Sequence, residues 1–134
     1  TSIISITHDL GVVANSCSRV IVMYGGQIME TCQASDIFYR PCHPYTMGLL
    51  RSIPRAGEEN RRLESIPGTP PDMLNPPEGC PFYPRCEFAM RICRERPVPE
   101  FAVNEGHCVK CWLHYPDAPR PDRYQKQKGG VLHG

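Results

Sequence analysis

The sequence predicts an α/β fold in which a short regular part is followed by an irregular extension rich in proline and cysteine. Residues 1–40 contain no proline, whereas the remaining 94 residues carry all 15. β-Branched residues are frequent in Ser2–Thr7 and Arg19–Tyr24, which is typical of buried strands. Five of the eight cysteines fall between positions 80 and 111, far from the predicted strands.

The regular part is predicted to run strand, helix, strand and hairpin strand. Ser2–Thr7 forms the first strand, and Asp9 caps a helix from Leu10 to about Cys17. Arg19–Tyr24 pairs with Gln27–Thr31 through a tight turn, since glycine accepts the positive φ that such turns need. A buried strand at the start of the chain suggests that a preceding part of the sheet is missing. An edge strand of a small complete domain is the alternative.

Beyond the hairpin, prolines set the boundaries. Ser35 or Asp36 is predicted to cap a short helix through Tyr39, and Pro44 fits the first turn of a helix running to about Ser52. The predicted units are a regular part, a charged linker, a cysteine-rich extension and a polar, disordered tail. They cover residues 1–54, 55–65, 66–115 and 116–134.

The balance of charge and the hydropathy pattern exclude two classes of function. The chain has 15 basic and 14 acidic residues, which gives no case for nucleic-acid binding through a basic surface. No apolar run approaches the roughly 18 residues of a membrane span. Any association with a membrane is therefore expected to come through a protein partner.

Two groups of residues point to chemistry. His8 follows the first predicted strand, at the kind of strand end where α/β folds bind ligands, and its imidazole could contact a phosphate oxygen. An ordinary exposed residue is the alternative. The cysteines are spaced Cys80-x5-Cys86-x6-Cys93-x14-Cys108-x2-Cys111. This spacing leaves zinc, an iron–sulfur cluster and unligated buried thiols open.

Several motifs carry a resemblance to a known family. The segments Ser5-Ile6-Thr7-His8-Asp9-Leu10 and Arg19-Val20-Ile21-Val22-Met23-Tyr24-Gly25-Gly26 resemble the switch-histidine region of ABC-transporter ATPases. His43-Pro44-Tyr45-Thr46, Gly79-Cys80-Pro81-Phe82-Tyr83-Pro84-Arg85-Cys86 and Val109-Lys110-Cys111-Trp112 are similar to segments of the oligopeptide/dipeptide importer ATPases and their C-terminal extension. The resemblance covers about residues 1–115.

The resemblance implies that the chain is the C-terminal piece of an ABC ATPase sheet with the peptide-transporter extension. It implies that His8 contacts the γ-phosphate of ATP in a complete subunit that also binds Mg2+. It further implies a 4Fe-4S cluster, with Cys108 as a substitute for the last ligand and Zn2+ as the alternative metal. The implied ligands are Cys80, Cys86, Cys93 and Cys111. The three other cysteines, Cys17, Cys32 and Cys42, are interpreted as core or surface residues.

The implied assembly lies on the cytoplasmic face of the cell membrane, as a peripheral subunit that energises peptide import. Its implied partners are a second ATP-binding subunit, two membrane permease subunits and a substrate-binding protein. Oligopeptide, dipeptide and other small cargo are not distinguished by these residues. The alternative function is a free-standing zinc-binding interaction module, or a remnant gene product without ATPase activity.

The sequence lacks the G-x4-G-K-S/T phosphate loop, an apolar run ending in Asp-Glu, and the ABC signature. Phosphoryl transfer needs these parts to hold the phosphates and magnesium. We therefore expect the purified 134-residue chain to show no magnesium-dependent ATP hydrolysis above the buffer rate. A clear rate in a phosphate-release assay would contradict this.

Overall fold

A computed structural model describes residues 2–53, 65–119, 121, 122 and 124. The predicted linker 55–65, apart from Ser65, and most of the predicted tail 116–134 lie outside these residues. The predicted division into units stays a prediction.

The predicted α/β class is confirmed. Four strands form one antiparallel sheet in the order β1-β2-β4-β3, with short helices around it. The strands are β1 (Arg19–Tyr24), β2 (Gln27–Gln33), β3 (Phe101–Asn104) and β4 (His107–Val109). The helices are α1 (Leu10–Ser16), α2 (Ala34–Tyr39), α3 (Pro44–Arg51) and α4 (Arg91–Glu95). No helix of the described residues is long and apolar enough to cross a bilayer.

The β1–β2 hairpin forms as predicted. Gly25 and Gly26 make its turn with φ of +58° and +78°, a conformation that a side chain would strain. Side chains along β1 alternate between exposed and buried, so that Val20, Val22 and Tyr24 point into the protein. The hairpin therefore has an inner face on which the rest of the chain packs.

The predicted first strand is wrong in this structure. Ser2–Thr7 is irregular, and its side chains Ile3, Ile4 and Ile6 are 88–96% exposed. β-Branched composition favours a strand only where a neighbouring strand and a core receive the side chains. Within the described residues no strand pairs with this segment.

The predicted helices form, with one difference in how they begin. Asp9 caps α1 and accepts a hydrogen bond from the Gly11 N–H at 2.9 Å, as expected. Pro44 opens α3, also as expected. The predicted caps of α2, Ser35 and Asp36, lie inside that helix, because its cap is the extended residue Gln33, two residues before Ser35.

The extension contains more regular structure than its prolines predict. It includes the 3-10 turns Tyr83–Arg85 and Trp112–His114, helix α4 and the hairpin β3–β4. Strand β4 pairs with β2, where Glu30 lies opposite Val109 and Thr31 lies opposite Cys108. Half of the strands of the sheet therefore come from the extension.

Three buried clusters surround the sheet. One joins the hairpin to α2 and contains Val20, Val22, Cys32, Ala34 and Ile37. A second joins the turn end of the hairpin to the extension and contains Tyr24, Met29, Cys80 and Phe82. The third contains Cys42, Met47, Phe88, Val109, Cys111, Leu113 and Tyr124. Cys86 packs against both the second and the third cluster.

Candidate metal centre

Three of the predicted ligands come from one stretch of the extension. The Cys80 N–H donates to the Cys93 carbonyl at 2.6 Å, which draws the start of this stretch onto α4. Cys86 follows the 3-10 turn Tyr83–Arg85, and Cys93 lies within α4. A side chain at Gly79 would run into the Cys93 carbonyl, so this approach requires glycine.

The fourth predicted ligand arrives from the other side, at the end of β4. The Lys110 N–H donates to the Met29 carbonyl at 2.8 Å and fixes the chain directly before Cys111. Burial raises the pKa of Cys111, and charge on Cys86, Cys80 and Cys93 raises it further. Cys86 packs against the cluster that contains Cys111, and Cys86 and Cys93 both pack against the cluster that contains Cys80. The four predicted ligands therefore lie in two adjoining clusters.

Cys108 occupies a different place. It lies on β4 between the buried residues His107 and Val109 and is itself only half-buried. Because side chains alternate along a strand, Cys108 points to the face opposite Val109. Val109 packs in the same cluster as Cys111. Cys108 is therefore turned away from the cluster that holds Cys111.

Of the four grouped cysteines, Cys80 and Cys111 are buried, whereas Cys86 and Cys93 are partly buried. Burial raises the pKa of Cys86 to about 12 and also raises those of Cys80, Cys93 and Cys111. Each is a protonated thiol at neutral pH unless a metal replaces its proton. The group can therefore act as a metal-binding donor set at the cost of releasing protons.

Backbone N–H groups oppose the effect of burial at these sulfurs. The N–H groups of Phe82, Phe88 and Leu113 donate to Cys80, Cys86 and Cys111 respectively, each two residues beyond its cysteine, and lower the thiol pKa. Hydrogen bonds of this kind favour negative charge on sulfur and orient it. The backbone is already arranged for thiolates.

The separation of the thiols bears on which centre they can hold. In a tetrahedral zinc site with Zn–S bonds near 2.3 Å, the sulfurs lie about 3.8 Å apart. Among the described residues, no three of the four thiols lie within 4.8 Å of one another. Within the described residues, the four thiols are therefore not gathered as closely as four ligands of one zinc ion.

Arg85 ties the proline-rich segment to the hairpin. Its guanidinium donates to the Pro67 carbonyl at 2.9 Å, to the Ile66 carbonyl at 3.0 Å and to the Tyr24 hydroxyl at 3.1 Å. The ring of Tyr24 also lies 5.9 Å from the guanidinium carbon. These contacts fix the loop that covers the second cluster.

His43 and Tyr45 have structural roles. The His43 ring is 1% exposed, and its Nδ1 accepts from the Tyr45 N–H at 3.0 Å, which caps α3. The Tyr45 ring lies 4.7 Å from that of Tyr24 and 5.3 Å from that of Phe82. This aromatic group packs α3 against the hairpin and the extension.

His8 lies apart from the cysteine group. It is exposed, in the irregular segment directly before the cap of α1. The Asp9 N–H donates to the Thr7 hydroxyl at 3.0 Å, which shapes the turn around His8. Its contact with a phosphate stays a prediction.

A buried polar group around Glu30 is absent from the sequence predictions. The Glu30 carboxylate is fully buried and accepts from the N–H groups of Cys42 and His43 and from the His107 ring. Ligand atoms of Glu30, Cys42 and His107 lie within 4.8 Å of one another. The available signal was Glu30 itself, a charged residue inside a hairpin strand.

A comparison with protein-family models matches the middle of the chain. Residues 29–93 match the family described as the oligopeptide/dipeptide transporter, C-terminal region. The chain belongs to this family. The matched region contains β2, α3 and three of the four grouped cysteines.

The similar proteins are ATP-binding proteins of peptide transport. The chain is 57% identical over 123 residues to an oligopeptide transport ATP-binding protein, OppD, of Bacillus subtilis, covering 90% of this chain and 34% of that protein. It is 52% identical over 120 residues to a dipeptide transport ATP-binding protein, DppD, of Lactococcus lactis, with 90% and 34% covered. The chain is 51% identical over 112 residues to OppD of Salmonella typhimurium, covering 84% of this chain and 33% of that protein. The chain spans about a third of the length of these relatives.

The buried His43 ring predicts a pH dependence of stability. Burial lowers the pKa of His43 from 6.5 to about 4, so the unfolded chain binds more protons between these values. Stability is fully present above pH 6.5 and is lost as pH falls toward 4. We expect protonation of His43 in the unfolded chain to lower the free energy of unfolding by roughly 2 kcal/mol between pH 7.5 and pH 5.

The measurement is urea unfolding of the wild type and of His43→Asn, which keeps an oxygen at the cap. The difference in unfolding free energy between the two proteins should shift in favour of the variant by that amount at pH 5. A difference that stays constant with pH would contradict a neutral buried imidazole.

Proposed function

We propose that this chain is part of an ATP-binding subunit that energises peptide import, and that its cysteine-rich extension holds a 4Fe-4S cluster. The names of its relatives, at 51–57% identity, support the transport role. The position of the four cysteines in two adjoining clusters, two of them buried and two partly buried, supports the iron–sulfur cluster. In this proposal ATP and Mg2+ are bound by the complete subunit.

The proposed assembly is the one that the family resemblance implies. The subunit works with a second ATP-binding subunit, two membrane permease subunits and a substrate-binding protein, at the cytoplasmic face of the membrane. His8 donates a ring N–H to the γ-phosphate, which stabilises charge there and reports whether the phosphate is present. Its exposed position before α1 supports this role, because the ring can reach a ligand outside the chain.

The proposed ligands of the cluster are Cys80, Cys86, Cys93 and Cys111. When bound, the cluster supplies cationic iron that keeps all four residues as thiolates in a buried place. The chain's own part is to orient the sulfurs through the N–H groups of residues two positions beyond, and to exclude water. The cluster then links the stretch from Cys80 to Cys93 with the end of β4, where packing alone is limited.

Metal content tests the cluster. We expect the anaerobically purified chain to contain close to four iron and four labile sulfide per molecule. Cys86→Ser should lose most of both and lower the melting temperature by about 10 °C. Cys108→Ser is the matched control, since its side chain points away from the cluster of Val109 and Cys111, and it should keep the cluster.

Two results would overturn this part of the proposal. One is stoichiometric zinc without labile sulfide in the wild-type chain. The other is loss of the cluster in Cys108→Ser with retention in Cys111→Ser.

A chimaeric transporter tests the transport role. Residues 1–115 replace the matching part of the Bacillus subtilis OppD, and uptake of a labelled oligopeptide is measured in cells lacking their own OppD. We expect uptake close to that of the intact protein, and a loss of at least about tenfold in the His8→Ala chimaera because the phosphate contact is gone. Full uptake with His8→Ala would refute the role of His8, and an inactive chimaera of normal abundance would refute the transport role.

A further inference from the structure

We propose that Glu30 is the positioning residue that holds Cys111 beside the other three thiols, by locking β4 and the start of α3 onto the hairpin. This inference rests on the proposed 4Fe-4S site and assigns it a residue outside the ligand set. Glu30 belongs to β2, which precedes the first proposed ligand by some fifty residues of chain.

The lock consists of hydrogen bonds to one fully buried carboxylate. The Cys42 N–H lies 3.0 and 3.1 Å from the two oxygens, and the His43 N–H donates at 2.8 Å. The His107 Nε2 lies 2.6 Å from Oε2, and since a carboxylate accepts, the ring N–H donates. Glu30, His43 and His107 are each at most 1% exposed. Water therefore does not compete for these bonds.

The three donors come from two separate segments. Cys42 and His43 precede α3, and His107 opens β4. Without the Glu30 side chain, β4 would be held on β2 by backbone contacts alone. These are two paired positions, Glu30 with Val109 and Thr31 with Cys108, and the hydrogen bond from the Lys110 N–H to the Met29 carbonyl. Cys111 directly follows this paired stretch, so the lock fixes where its sulfur lies.

The other three thiols do not depend on the lock in the same way. Cys80 is bonded to the Cys93 carbonyl and packs with Tyr24, Met29 and Phe82. Cys86 follows the 3-10 turn between them. Loss of the lock should therefore release Cys111 selectively and leave Cys80 and Cys93 in place.

A mononuclear metal site is the competing interpretation of Glu30, Cys42 and His107. The observed bonds favour the lock, because the carboxylate oxygens already accept three donors at hydrogen-bond distances. A metal ion between Glu30 and His107 would replace the 2.6 Å contact, which is a direct hydrogen bond.

The first test uses the cluster-free chain and needs no bound iron. Alkylation of each cysteine by N-ethylmaleimide is followed by mass spectrometry in the wild type, Glu30→Gln and the matched control Glu105→Gln, an exposed residue of the β3–β4 turn. We expect Cys111 to react at least about tenfold faster in Glu30→Gln alone, because the strand opens locally. The alkylation rates of Cys80 and Cys93 should change by less than about twofold.

Cys32 reports on global unfolding, since it is fully buried in the cluster between the hairpin and α2. If Glu30→Gln exposes Cys32 as well, His107→Gln provides the second variant, because it removes the bond to β4 and retains those to Cys42 and His43. If the alkylation rates of Cys32, Cys80 and Cys111 rise together in both variants, the proposal is overturned.

The second test uses the protein loaded with its cluster. Release of Cys111 leaves a cluster with three cysteine ligands, which loses one iron on mild oxidation by ferricyanide. We expect Glu30→Gln to give several-fold more of the paramagnetic 3Fe-4S signal than the wild type or Glu105→Gln. Combining Glu30→Gln with Cys111→Ser should add nothing to Cys111→Ser alone, since both act on one ligand.

The two tests separate the possible failures. A wild-type chain without iron and sulfide refutes the proposed cluster, while the alkylation pattern still decides whether Glu30 positions Cys111. Equal 3Fe-4S signals in Glu30→Gln and Glu105→Gln would overturn the positioning role. The positioning role would also be overturned if the wild type binds one added zinc ion that is lost in Glu30→Gln and Cys42→Ser but kept in Cys86→Ser.

Discussion

The pairing of β4 with β2 is the contact on which the rest of the structure depends. It joins the hairpin to the extension and delivers Cys111 to the place where the other three grouped thiols lie. The paired stretch is short, and the buried bond between His107 and Glu30 reinforces it. This strand contact thus links the sheet to the candidate metal centre, beside the packing of Tyr24 and Met29 on Cys80 and Phe82.

The chemistry of the grouped thiols explains why a metal would stabilise this fold. Burial raises the pKa of all four thiols, so free thiolates are disfavoured at this place. A bound metal would replace the protons and tie the segments together, and backbone N–H groups would share the resulting charge. The binding energy of the metal would then contribute to the folding energy.

Local signals in the sequence predicted the local structure well. Gly25-Gly26 marked the hairpin, Asp9 the start of α1 and Pro44 the start of α3, because each residue satisfies a requirement of its own neighbours. Composition alone was misleading at Ser2–Thr7, which has strand-forming residues but pairs with no strand of the described residues. The bond between Glu30 and His107 spans 77 positions, and no local pattern in the sequence predicts it. Spacing left zinc and iron–sulfur open, and the choice of four cysteines as ligands came from family resemblance and stays a prediction.

Mössbauer spectroscopy of the anaerobically purified, iron-57-enriched chain tests the central claim most directly. We expect the quadrupole doublet of a diamagnetic 4Fe-4S cluster in the wild type and in Cys108→Ser, and its loss in Cys86→Ser. A spectrum of mononuclear high-spin iron, or a chain that takes up no iron while remaining folded, would contradict it.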